Sequence, residues 1–410
     1  MSISTAPVCD EPTLLTLYQP EWVVDPYPYY RRLRESHPVF WDEPLGSWVV
    51  TRYDDIVALS RDPRLSEDRV SRFREHLSAH KREALRPLGD ALSDMMLFNN
   101  APRHSELRGM VKGAFSRPAT ARMRETIAKD TEALLDRVAA AGELDVVSDL
   151  SQPLSKIVIA NLLGIPDEER YLLDDWASLL HEFFTQSTAQ VDRLRRLRRI
   201  FDVMAENTAD ADEHLLAHML SCCPERSASR DDVLFANFLL IIDAGQVTTT
   251  YLVPNAVRAL LQHADQLELL RGDDSLMPEA ANELMRFDSS VQFTTRIARE
   301  ELEVGGQVIH DGEPVTLLLG SGNRDPDRFP DPDRLDLTRN AAGHLSFGHG
   351  AHYCVGAPLS LIEVDVVISA MLRRLGGLRI AAPRLRWHDS INFRFLSRLP
   401  VRFDPPITAK

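Results

Sequence analysis

The chain has 410 residues, 44% of them hydrophobic, enough to bury one large core or two ordinary ones. Its formal charge of -14 at pH 7 argues against nucleic acid as the main partner, because phosphate binding needs a concentrated positive surface. No uninterrupted apolar run approaches the ~20 residues of a membrane span, and the start, MSISTAPVCDEPTLL, lacks both a basic segment and a continuous apolar one, so a cytoplasmic protein with no membrane partner is expected.

Residues 1–19 read as a mobile N-terminus and residues 20–410 as one continuous domain, since no repeat, low-complexity tract or linker interrupts them. PVFWDE and SWVVTRY read as a pair of short strands, followed by a polar stretch over 66–103 that ends in LFNNAPRH. From about 105 to 290 helical periodicity dominates. The basic clusters in DRLRRLRRIF and MLRRLGGLR read as solvated helix faces.

The longest predicted helix starts at SRDD, with Ser229 as cap and Asp232 at the third helical position. The sequence that follows, VLFANFLLIIDAGQVTTTYLVPNAVRALLQH, is apolar nearly all round, so this helix must cross the interior. Gly245, Thr248, Thr249 and Thr250 are poor choices for a helix centre, and together they predict that the helix is locally opened for a ligand. Short strands return in FTTRIA, LEVGGQVI, EPVTLLLG and LPVRF.

Of the four cysteines, Cys9 lies near the N-terminus and Cys222 and Cys223 are adjacent, a spacing that suits neither an ordinary disulfide nor a shared metal site. No CxxC occurs, and His214 and His218 lack an HExxH context, so no structural zinc site is expected. Cys354 is different. In HLSFGHGAHYCVGAPLS it follows Gly348 and Gly350, precedes Gly356, and stands just ahead of an amphipathic helix with Pro358 in its first turn. A helix N-terminus stabilises a thiolate. The residues alone leave four uses open for it: nucleophile, redox thiol, metal ligand or buried structural cysteine. His352 is the nearest base, and no resolving cysteine is near in sequence.

The string Phe347-Gly348-His349-Gly350-Ala351-His352-Tyr353-Cys354-Val355-Gly356 resembles the F-G-x-G-x-H-x-C-x-G haem-ligand loop of the bacterial cytochrome P-450 family of haem-thiolate monooxygenases. NELMRF resembles that family's E-x-x-R pair, NRDPDRFPDPDRLDL its meander, and PRHSELRGMVKGAFS its haem-contacting helix. The resemblance runs from about residue 20 to residue 405.

It implies a mainly α fold with small β-sheets, a single triangular domain with haem b between the long helix and the helix after Cys354. Cys354 would be the axial iron ligand, pushing electron density onto the metal, with Phe347 shielding the sulfur and Gly356 in the backbone that follows it. His104, Arg108, Arg296 and His352 would meet the haem propionates, with Ala244 beside the cofactor. Glu283, Arg286 and Arg334 would form a buried structural network. Thr248 matches the threonine that handles protons in oxygen activation. Val247, however, stands where the family carries an acid, which removes part of the proton relay.

Asp243, one turn before Val247, occupies a position that in relatives carries an aliphatic side chain. It is a candidate for binding a cationic substrate group or for replacing the missing acid. Weaker substrate contacts by the same resemblance are Phe293, Thr294, Phe395 and the loop between about 66 and 100.

The implied activity is oxidation of a small to mid-sized organic molecule, in secondary metabolism, with ferredoxin and ferredoxin reductase as NAD(P)H-linked donors. Arg103, Lys112, Arg373 and Arg374 are candidate ferredoxin contacts. The rival readings are peroxide-driven, coupling, rearrangement or group-transfer chemistry on the same haem, a non-catalytic haem-binding partner or sensor, and a thiolate hydrolase without haem.

Overall fold

A computed structural model describes residues 11–170, 173, 189–207, 214–222 and 227–404. Cys9 and Cys223 lie outside the described residues. Helices carry most of the chain, and the longest, Ala228–Gln262, runs through the main core. Its cap is Ser227, whose hydroxyl accepts the Arg230 N–H at 3.2 Å, two residues earlier than the expected Ser229. Extended backbone at Ser227 lets its side chain reach the first turn, whereas Ser229 is already helical. The helix is long and apolar enough to span a membrane by composition alone, but 67% of its apolar window is buried inside the protein. Apolar residues on every side are what a core helix needs.

Three neighbours cover this central helix: Gln152–Leu163 with the π-helical turn Val146–Ser151 before it, Met277–Phe287, and the C-terminal helix Ala357–Arg374. Close packing explains Gly245. A Cβ there would lie 2.3 Å from Ile159 Cδ1, so glycine lets Gln152–Leu163 approach. The helix Arg117–Val138 backs the C-terminal helix from outside.

The main sheet has the order β1-β2-β8-β5-β3, from Val39–Asp42 (β1), Ser47–Val50 (β2), Leu65–Ser66 (β3), Thr294–Ala298 (β5) and Pro314–Leu317 (β8). All its pairs are antiparallel except β2 with β8. A second sheet joins Glu143–Asp145 (β4), Pro400–Asp404 (β12) and Gly376–Ile380 (β9). Leu302–Val304 (β6) and Gln307–Ile309 (β7) form a hairpin across Gly305 and Gly306, both left-handed, as a two-residue hairpin turn requires. Arg386–Trp387 (β10) pairs with Leu396–Arg398 (β11).

Two expectations change. The stretch 66–103 folds into three short helices, Arg69–Glu75, Ala79–Ala84 and Arg86–Ser93, before reaching Arg103. The N-terminus is anchored earlier than residue 20. Leu14 is fully buried, and the buried Asp42 carboxylate accepts the Leu14 N–H at 2.7 Å and the Thr13 hydroxyl at 2.9 Å.

Candidate functional site

The Cys354 loop is shaped by a short turn and two glycines. Leu345–Phe347 makes a 3-10 turn capped by His344. Gly348 and Gly350 then adopt φ of +70° and +77°. A Cβ on Gly350 would sit 2.4 Å from the Ser60 carbonyl oxygen, so only glycine lets the loop pass there. The Cys354 N–H returns to the Phe347 carbonyl at 2.8 Å, which sets the cysteine at the mouth of the C-terminal helix.

Cys354 is half-buried. Burial pushes its thiol up, while the Gly356 N–H, the Arg108 guanidinium and the Ala357 N–H favour the thiolate. Gly356 is therefore a donor to sulfur. Phe347 is buried beside the loop.

The central helix opens one face midway. Ala244 is exposed, and Asp243, Val247 and Thr248 are half-buried, in a helix otherwise lined by core residues. Positions i, i+1, i+4 and i+5 share one side of a helix. The helix is not broken there: the Thr248 hydroxyl donates to the Ala244 carbonyl at 2.7 Å and Thr250 to the Gln246 carbonyl at 2.8 Å. The threonines are accommodated by bonding back one turn, so the helix stays continuous while one face of it opens. Thr250 points away from the open face, to Ser155 at 2.8 Å.

A cationic cluster forms beside the cysteine loop. The His104 and His352 rings stack with centroids 3.8 Å apart, Arg108 donates to the Tyr353 carbonyl at 2.7 Å, and the Arg296 Nη1 is held by the Thr294 hydroxyl at 2.7 Å and the Thr295 carbonyl at 3.0 Å. The structure adds Glu67 and Arg69, neither of which sequence reasoning singled out. Burial first, then the positive charges of His104, Arg296, Arg69 and Arg108, hold the His352 imidazole down at about 3. The Arg69 Nε is buried without a partner among the described residues.

Arg69, Arg296 and the nearby Arg108 outnumber the single Glu67 carboxylate, an excess of positive charge that asks for anions. A haem, which would need a thiolate for its iron and cations for its two propionates, fits this donor set. Cys354 would hold its iron, and Arg108, Arg296, His104 and His352 its propionates. When bound, such a cofactor supplies one-electron and oxygen chemistry.

Comparison with known proteins agrees. The Cytochrome P450 family model matches residues 275–376. The biotin biosynthesis cytochrome P450 of Bacillus subtilis is 33% identical over 393 residues, which is 94% of this chain and 98% of that protein. The 6-deoxyerythronolide B hydroxylase of Saccharopolyspora erythraea is 32% identical over 394 residues, 93% of this chain and 96% of that one. The chain belongs to the cytochrome P450 family. Among solved structures, P450BioI in complex with an acyl carrier protein ligated to hexadec-9Z-enoic acid is similar with a TM-score of 0.83 and 32% identity, covering 94% of this chain and 100% of that one. Epothilone B-bound P450epoK is similar with a TM-score of 0.85 and 29% identity, covering 95% and 99%. The protein is a P450 monooxygenase-type oxidoreductase with a haem-thiolate cofactor, and its P450 relatives act on small molecules.

Within this P450 the E-x-x-R network has a different third member from the one expected. Glu283 and Arg286 are both fully buried, with Arg286 Nε 2.6 Å from Glu283 Oε2. The second arginine on Glu283 is Arg339, with Nε 3.2 Å from Oε1, while Arg334 is exposed and offers only its carbonyl to Arg339. The meander and the chain just past it carry arginines at 324, 328, 334 and 339, and spacing alone does not say which one the chain folds inward.

The substrate candidates separate in the same way. Asp243 lies on the open helix face. Thr294 holds Arg296. Phe293 packs with the Leu14 and Leu318 cluster, and Phe395 is buried in a stack with Tyr251 at 3.9 Å and Phe393 at 4.8 Å. In these contacts the three residues brace the scaffold. Of the basic residues expected at a partner face, Arg373 and Arg374 are paired to Glu132, and Arg374 also to Asp136, bracing the neighbouring helix. Arg103 and Lys112 remain exposed.

Proposed function

We propose that this P450 uses haem b to monooxygenate a small to mid-sized organic molecule in secondary metabolism, with electrons from ferredoxin and ferredoxin reductase. The observation that carries the reading is that Thr248 lies on the open face of the central helix and Cys354 at the head of the C-terminal helix. The Thr248 hydroxyl donates its proton to the Ala244 carbonyl, which leaves its oxygen able to accept a hydrogen bond. Named relatives in secondary metabolism include a hydroxylase and an epoxidase. Arg103 and Lys112, exposed on the helix Arg103–Lys112 that also carries Arg108, suit an acidic ferredoxin.

Val247 has no proton to give. Asp243 is the carboxylate on the same face one turn away, and we assign it either to a cationic substrate group or to proton supply. Val247 also favours a second reading, in which peroxide replaces the reductase.

The test is the spectrum of purified protein, reduced and exposed to carbon monoxide, beside Cys354→Ser. A red-shifted Soret band that disappears in the variant supports thiolate ligation. NADPH consumption with ferredoxin and reductase across amines and their neutral isosteres then decides the chemistry. Turnover with peroxide alone supports the second reading, and Asp243→Asn with unchanged affinity and product removes Asp243 from both roles.

A further inference from the structure

The antiparallel register of β3 and β5 places Leu65 opposite Ala298 and Ser66 opposite Ile297, so the next residue, Glu67, arrives beside Arg296. Its Oε1 lies 2.5 Å from Arg296 Nε and 3.8 Å from His352 Nε2, and its Oε2 lies 3.9 Å from Arg69 Nη2. The residue is 4% exposed. Its backbone is held as firmly: the Glu67 N–H donates to Asn100 Oδ1 at 3.0 Å, and Asn100 Nδ2 donates to the Ser66 hydroxyl at 2.8 Å. Arg69 in turn lies over the Phe98 ring at 5.0 Å.

This carboxylate is an addition to the cation cluster that haem propionates would use. Arg296 has its Nε toward Glu67 and its Nη1 toward Thr294 and Thr295, which turns its remaining edge, Nη2, to other partners. A bound haem would bring two more carboxylates to the same cations. Burial limits solvent screening, so charges a few ångströms apart act strongly on one another and on anything bound between them.

We propose that Glu67 is a positioning residue of the haem pocket: it fixes Arg296 and Arg69 by their inner edges and, as a buried negative charge beside the propionate site, lowers the reduction potential of the bound haem. Reduction adds an electron, which a nearby carboxylate disfavours and a nearby guanidinium favours. Arg69, a guanidinium paired to the same carboxylate, carries the opposite charge and acts with the opposite sign. The inference rests on the haem-thiolate reading above and adds to it a residue that sets the readiness of this P450 to accept its first electron.

The experiment uses the haem-loaded full chain and measures the midpoint potential by spectroelectrochemistry for wild type, Glu67→Gln and Arg69→Gln, with haem retention followed by transfer to an apo-globin. Glu67→Gln keeps an acceptor for Arg296 and removes the charge. The expected result is a several-fold upward shift in its one-electron reduction equilibrium, tenfold being about 59 mV, with the carbon monoxide spectrum unchanged. Arg69→Gln is expected to shift the potential downward. If Glu67→Gln loses haem, Glu67→Asp, which keeps the charge, is expected to match the wild-type potential. Both glutamine variants moving the potential the same way, or neither moving it, overturns the proposal. A wild-type protein without the red-shifted carbon monoxide band instead overturns the haem-thiolate reading beneath it.

Discussion

Asp288, just after the E-x-x-R helix, and Arg394, near the C-terminus, meet in the core with Oδ1 and Nε 2.5 Å apart. The same carboxylate accepts the Tyr27 hydroxyl at 2.7 Å and pairs with Arg258 of the central helix at 2.6 Å. Arg394 also donates to the Val24 carbonyl at 2.8 Å and lies over the Trp387 ring. One buried acid thus ties the N-terminal segment, the central helix and the C-terminal strands together.

Asp288→Asn is expected to destabilise the protein by about 3–5 kcal/mol, because it leaves two buried guanidiniums short of a counter-charge. Burial alone would raise the Asp288 carboxyl, but Arg394, Arg258 and the Tyr27 hydroxyl bring it down to about 2. A carboxyl held below its unfolded value stabilises the fold above about pH 4 and loses that contribution as the pH falls toward 2. Denaturant titrations at pH 7 and in acid check this, and the wild-type advantage over the variant should narrow only in acid.

Glu283 predicts an asymmetry between two arginines in and just past the meander. Arg339→Gln removes a partner from a fully buried carboxylate and should cost about 3 kcal/mol or more, with loss of haem retention. Arg334→Gln, at an exposed position, should stay within about 0.5 kcal/mol of wild type. Equal effects in thermal melts would show that Glu283 is held by Arg286 alone.

Glu363 gives the opposite pH dependence. It is buried in the C-terminal helix, and burial pushes its carboxyl up to about 8. A folded value above the unfolded one means that its contribution is fully present below about pH 4.5 and is lost as the pH rises through 8. Glu363→Gln cannot ionise, so its stability should fall less than that of wild type between pH 6 and 9. Parallel unfolding curves at both pH values would refute this.

Gly350 and Gly306 separate backbone strain from collision. Both have left-handed φ, but a Cβ on Gly350 meets the Ser60 carbonyl at 2.4 Å whereas one on Gly306 meets nothing within 4 Å. Gly306→Ala should cost only the conformational term of about 1–3 kcal/mol. Gly350→Ala should cost more and also weaken haem retention, because the Cys354 loop must move away from Ser60. Haem content after gel filtration, read beside the melting temperature, distinguishes the two.

The Cys354 site was legible in the sequence because its chemistry is written in one contiguous string: glycines for the turns, a cysteine before a helix, a proline in the first turn. The same holds for the central helix, whose apolar length demands burial whatever surrounds it. Contacts between distant segments were decided by the tertiary structure. Arg339 rather than Arg334 reaches Glu283 because the chain just past the meander turns that arginine toward the buried carboxylate, and Phe395 went to an aromatic stack because Tyr251 presents a ring to it. Glu67 follows a strand of two residues, too short to leave a period in the sequence, and reaches the cation cluster only through pairing with a strand more than two hundred residues later. Local sequence specifies turns, caps and periodicity, whereas the placement of a buried charge depends on which distant partners offset its desolvation, and those partners exist only once the chain has folded.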